Sequence, residues 1–242
     1  MLIYNPNKFN LENLYFSFIG IAGLIILAVL VIYLPPTGIK YNFQKPLILL
    51  IFIIICIMGM VAAISPTNCM GLLKIKKHIQ VDNSVDKESD EKEFRGHHPE
   101  CDNFKNHTYT LMGKKYCAGC SGLFTGALIA VIVIIIYYFH GIPVFNPYLI
   151  FVIGFLFVLT CLLQSFLLNI NSNTGKFIFN LILVVGAFLM LIGITEITGS
   201  IFVQIYFLLL VFIWIMARIS NSEKKHGDIC EKCDKRSYCS YR

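Results

Sequence analysis

Charged residues are missing from six long intervals of the chain, and this pattern of gaps organises everything else in it. The intervals run approximately from Phe16 to Leu34, Pro46 to Ile64, Ser121 to Phe139, Pro147 to Leu168, Phe177 to Thr195 and Ser200 to Ala217. A helix rising 1.5 Å per residue needs about 20 apolar residues to cross roughly 30 Å of hydrocarbon, and each interval meets that length. Turn-forming residues fall between them: Pro35-Pro36, Gly141 with Pro143, Asn146-Pro147, Asn171 to Gly175, and Thr198-Gly199. The prediction is an all-α, polytopic membrane helix bundle of about six transmembrane helices. The last two intervals, joined by a very short link, also permit a single re-entrant pair. The first interval is longer than a signal-peptide core, starts with little basic charge and has no small-residue cleavage site after it, so it reads as a retained helix.

Lys and Arg placement sets the expected orientation. With six spans, the two termini and the second and fourth loops share one side, and that side collects 18 of the 20 basic residues. Both termini are therefore expected in the cytoplasm of a multi-pass cell-membrane protein. The chain then divides into a first transmembrane hairpin (1–64), a cytoplasmic linker (65–95), a Cys/His loop (96–120), a four-helix transmembrane region (121–218) and a cytoplasmic Cys-rich tail (219–242).

Composition agrees with this division. Hydrophobic residues make up 57% of the 242 and charged residues 14%, against about 25% charged in a soluble domain. A soluble globular domain, a disordered chain and a small disulfide scaffold are excluded. The net charge of +6 is a topology signal that also attracts anionic headgroups, notably at Lys74, Lys76 and Lys77. Membrane lipids are thus expected partners. Nucleic acid is not, because no basic groove interleaved with aromatics is visible. The stretch from Asp82 to Arg95 mixes six acids with three bases and reads as a solvated linker.

Seven of the nine cysteines fall on the expected cytoplasmic side, where thiols stay reduced and clustered Cys points to metal or redox chemistry. Cys56 and Cys161 lie within spans and read as small buried hydrophobes. In the loop, His98 and Cys101 form His-x2-Cys, and Cys117 with Cys120 forms Cys-x2-Cys; His97 or His107 are alternates for the histidine. Two such pairs complete a tetrahedron suited to zinc, with Gly113 and Lys114-Lys115 forming a short hairpin that presents the second pair. Ser121 is expected to cap the third span, whose positive dipole end would favour thiolate at Cys117 and Cys120. Gly122 and Gly126, four apart, would admit a close neighbouring helix. The tail offers His226, Cys230, Cys233 and Cys239 for a second zinc knuckle; an iron–sulfur cluster is the alternative, and tail and loop sharing one ion is another.

The run H-H-P-E-C-D-N-F-K-N-H-T-Y-T-L-M-G-K-K-Y-C-A-G-C-S-G-L-F-T-G (97–126) resembles archaeal members of the integral-membrane family catalogued as domain of unknown function 2085. These pair a Cys/His element with Cys-x2-Cys-[Ser/Thr]-Gly entering a membrane helix. A fainter likeness covers Gln164, Ser172-Asn173, Lys176 and Asn180, where Thr174 follows Asn173 instead of preceding it and Lys stands for Arg. The resemblance implies a cytoplasmic Cys/His site on a helix bundle and no particular reaction.

Inside the spans, Thr160, Gln164, Asn180 and Gln204 need hydrogen-bond partners and are expected to join helices. Gln164, Asn173, Lys176 and Asn180 also suit a polar pocket for a lipid headgroup or quinone-like ring. Glu196 is expected at the outer surface, and the absence of charge at mid-depth argues against an ion-coupled pump. Phosphate-cradling, zinc-protease and serine-hydrolase motifs are absent; Glu100 is the one candidate base beside the thiols, and a thiolate-rich zinc is a weak Lewis acid. Three functions remain: a non-enzymatic scaffold binding lipid or a protein partner, a membrane enzyme acting on a prenyl lipid or quinone, and a metal sensor or transporter. Orientation is directly testable. Alkaline phosphatase inserted in the 141–146 loop should be active and the same fusion at either terminus inactive; the opposite pattern would invert the topology.

Overall fold

The structure, a computed structural model, describes residues 6–34, 43–64, 94–95, 107–111, 114–140, 146–167 and 172–231. Six helices dominate it: α1 (Pro6–Tyr33), α2 (Gln44–Ile64), α3 (Ala118–His140), α4 (Pro147–Leu167), α5 (Asn173–Ile197) and α6 (Ile201–Glu231). Each is long and apolar enough to cross a membrane. Large apolar side chains stand outward on them, among them Phe18, Tyr33, Phe139 and Phe202. Such surfaces are untenable in water and match lipid. The protein is a multi-pass membrane protein.

Helix ends follow local chemistry. Pro147 opens α4, and the Asn146 side chain accepts from Leu149 N at 3.1 Å. Ser172 caps α5 by accepting from Gly175 N at 2.9 Å. Between α5 and α6 the chain reverses over Thr198, Gly199 and Ser200, with Gly199 at φ 58°, the left-handed position that ends helices at glycine. The last two spans are therefore two full helices, not a re-entrant pair.

Four expectations are corrected. The third span begins at Ala118, so Ser121 lies inside it, and its hydroxyl donates back to Cys117 O at 3.0 Å. Helix α6 runs on to Glu231, so the first half of the expected tail is helical. The linker's last two residues, Phe94–Arg95, form a strand. This strand, β1, belongs to a small sheet with β2 (Thr108–Leu111) and β3 (Lys114–Cys117), in the order β1-β3-β2. β2 and β3 pair antiparallel, as a hairpin requires, with Thr108 opposite Cys117 and Leu111 opposite Lys114. Lys114 and Lys115, expected in the turn, are instead the first residues of β3. Tyr109 and Tyr116 stack across the pair at 6.1 Å. β1 runs parallel to β3, with Arg95 level with Tyr116.

Helix α5 is the hub. Half of its span is buried, against 22% for α2 at the edge, and it packs most extensively on α3 and α4. Glycines make both contacts possible. A Cβ at Gly122 would strike the Phe177 carbonyl of α5, and one at Gly126 would come within 3.0 Å of Leu181 O. On the other flank, a Cβ at Gly154 of α4 would lie 2.6 Å from Gly186 O, and one at Gly193 would lie 2.7 Å from Phe151 Cβ. Helix α6 packs instead on α1, where Trp214 Nε1 donates to Gly20 O and Tyr206 OH to Gly23 O, both at 3.2 Å.

At the end opposite the hairpin, polar groups tie four helices, with Gln44 and Gln204 buried and Lys45 and Glu196 partly exposed. Gln44 Nε2 donates to Gly199 O at 2.7 Å and to Gln204 Oε1 at 3.0 Å. Glu196 accepts from the Tyr137 hydroxyl and pairs with Lys45 at 3.2 Å, and Lys45 also lies over the Tyr137 ring. Thr160 does not join helices: its hydroxyl donates to Leu156 O of its own helix at 2.7 Å.

The glycine contacts make a sharp prediction. Gly122→Val should lower the thermal midpoint in detergent, at a cost of about 1–3 kcal/mol for overpacking. Gly59→Ala, which would meet nothing within 4 Å, should leave the midpoint unchanged or raise it.

Candidate functional site

Strand β3 passes into α3 without a loop, which carries Cys117 and Cys120 onto the end of the bundle. Cys117 is the last strand residue and is 3% exposed; Cys120 is in the first helical turn and half-buried. No disulfide involves either, or Cys56 or Cys161. Gly119 lies between the two thiols, and three groups converge on it. A Cβ there would stand 3.1 Å from Asn180 Nδ2, 3.4 Å from an Arg218 guanidinium nitrogen and 4.0 Å from Cys117 Sγ. Asn180, buried on α5, donates to Gly119 O at 3.2 Å and so holds the first turn of α3 against the hub. The sheet is anchored to the same helix: Asn173 Nδ2 donates to Thr108 O at 2.6 Å.

Arg218 reaches this place from α6, one helical turn beyond Trp214. Its charge acts on three thiols, Cys120 most strongly, then Cys117 and Cys161. Cys161, on α4, donates its S–H to Phe179 O at 3.2 Å. Below these groups α1, α4, α5 and α6 leave a small cleft that is open on one side. Its polar wall is Ser17, Gln164, Asn180 and Arg218, and its apolar wall includes Leu162, Leu183 and Trp214.

The expected residues are distributed unevenly over this arrangement. Cys117 and Cys120 are together. His107 directly precedes β2, at the end of the strand where Thr108 faces Cys117. His97, His98, Cys101, Cys233 and Cys239 lie outside the described residues, and His226 and Cys230 fall on the backbone of the last turns of α6. Among the described residues no three His, Cys, Asp or Glu side chains converge as a metal site. Of the expected polar pocket, Gln164 and Asn180 line the cleft; Asn173 instead fastens the hairpin, and Lys176 is not in the cleft wall.

Sequence reasoning missed Arg218, which it counted with the tail as one more topology charge. It also missed the Gln44–Gln204 and Lys45–Glu196 pairs. Their signal was present, since all four residues fall near the ends of spans on one side of the membrane.

Comparison with protein-family models, curated proteins and solved structures gives no match. The site must be judged on its own chemistry: two reduced thiols of unequal burial, held on a helix terminus beside an arginine, at the mouth of a polar-walled cleft. Burial orders their reactivity. In chelator-treated protein, Cys120 should react with maleimide at least about tenfold faster than Cys117, read peptide by peptide in a mass spectrometer; equal rates would contradict this geometry.

Proposed function

We propose that the protein is a membrane-embedded, non-enzymatic binding protein. Its cytoplasmic Cys/His site, filled by zinc, holds the β-hairpin on the end of the bundle as a platform for a lipid or protein partner. The observation that carries this reading is the parallel pairing of β1 with β3. Arg95 is level with Tyr116, one residue before Cys117. His98 follows Arg95 by three residues, and three residues of chain span at most about 11 Å. Strand register thus supports His98 and Cys101 as the partners of Cys117 and Cys120, although some 20 residues separate the two pairs in sequence.

The chemistry of the donors fits zinc: two reduced thiols from a rigid turn, a third thiol and an imidazole within chain reach. Three thiolates and a dipositive ion leave a net negative site, and Arg218 supplies an offsetting charge beside it. His226, Cys230, Cys233 and Cys239 are proposed as a second knuckle on the same face. The likeness of residues 97–126 to the domain of unknown function 2085 family supports the first site and adds no reaction.

Elemental analysis of the purified full chain should find at least one zinc per protein and no visible absorption. Replacing Cys117 and Cys120 by Ser should remove one equivalent and lower the thermal midpoint. Unchanged metal content in that variant would overturn the first site, and a brown protein carrying iron would overturn zinc.

A further inference from the structure

The cleft at the thiol end has a composition that neither the metal nor helix packing requires. Among the described residues Arg218 is the single charged group in its wall, and no carboxylate accompanies it there. The carboxylate in the spans, Glu196, is engaged by Lys45 and Tyr137 at the opposite end. A guanidinium within a membrane bundle is costly without an anion, and a thiol that keeps its proton offers it no charge.

Depth selects the anion. Ser17 and Arg218 fall at the ends of the charge-free intervals of their helices and Gln164 about one turn before the end of its own, so the polar wall belongs to the end of the bundle, toward the level where lipid phosphates reside. Leu183 and Trp214 lie deeper along their helices. The Trp214 N–H is already given to Gly20 O, which leaves its ring as hydrocarbon wall. The space is small and open on one side, so it can take a polar group at its mouth and not a whole lipid. An anionic head held at the rim, with only the first carbons inside and the chains running into the bilayer, matches all three facts. A planar guanidinium fork is suited to two phosphate oxygens.

We propose that this cleft binds the phosphate headgroup of an anionic membrane lipid, with Arg218 pairing the phosphate, Gln164 and Asn180 beside it, and Leu162, Leu183 and Trp214 receiving the first carbons of the chains. This deepens the binding-protein reading and names its ligand, and it does not require the metal.

The test uses the full chain in nanodiscs of phosphatidylcholine with a minor share of phosphatidylglycerol, released into a mass spectrometer that counts retained lipid. One phosphatidylglycerol per chain is expected, enriched at least about tenfold over its share of the bilayer. Arg218→Gln should abolish the enrichment, Arg218→Lys should weaken it, and Gly59→Ala should leave it intact. Leu183→Trp fills the cleft while retaining Arg218 and should also abolish it, so the test stands even if Arg218→Gln does not fold. No enrichment in the wild type, or the same enrichment in Leu183→Trp, overturns the proposal. Retention of inorganic phosphate without lipid enrichment would assign the site to a free anion and overturn the lipid. Zinc is counted in the same samples: loss of lipid from Leu183→Trp with zinc intact separates the two sites, and wild type that keeps lipid without zinc would overturn the metal reading alone.

Discussion

The close approach of the α5 backbone to its neighbours on both flanks is the contact on which the rest of the molecule depends. In lipid, apolar surface gains little by leaving one hydrocarbon environment for another, so helices associate through dispersion contact and a few hydrogen bonds. Both fall off steeply with distance. Gly122 and Gly126 on one side, and Gly154 and Gly193 on the other, let α5 touch α3 and α4 where any side chain would hold them apart. Asn180 can then reach Gly119 O, and Asn173 can reach Thr108 O. The thiol pair is thus positioned by the membrane bundle itself: its helix turn and its hairpin are both hydrogen-bonded to the hub.

The two ends of the bundle are built differently, and the difference makes the cleft. At one end the turn through Gly199 is clamped by Gln44, and the Glu196–Lys45–Tyr137 group draws α2, α3 and α5 together. From that clamp α6 leaves α5 and packs on α1. The two helices joined by the shortest turn are therefore loosely packed on each other, and the space between them widens toward the thiol end, where α4 and α1 complete its walls. A tight polar clamp at one end and a splayed pair at the other is a geometry that long, stiff helices impose once their contacts are fixed.

The helix count, the turns and the β2–β3 pairing were legible in the sequence because each depends on local chemistry, uninterrupted apolar length or Pro and Gly at the breaks, although Lys114 and Lys115, read as part of the hairpin turn, belong to β3. Gly122 and Gly126 were legible as a packing surface, although the helix they face was not, since spacing names one partner only. The start of α3 was misplaced because Ser121 looks like a cap, whereas the strand delivers the chain into the helix at Ala118 and leaves Ser121 to bond backwards. The β1–β3 pairing was invisible, as two residues at the end of an acidic linker carry no strand period. Only contact with β3 makes them a strand.

Arg218 shows why counting charges is not enough to assign them. Counted as one of eighteen basic residues on the expected cytoplasmic side, it is interchangeable with any Lys. Its place on α6 sets different demands. One helical turn after Trp214, it faces Gly119 and the thiols, half-buried where a lysine stem would carry its charge outward to the headgroups. A delocalised, weakly hydrated guanidinium tolerates that depth better than an ammonium and keeps several donors in a fixed plane. Those donors point into a region shared by Cys117, Cys120, Asn180 and the cleft, so one side chain links the surface site to the membrane-level cavity.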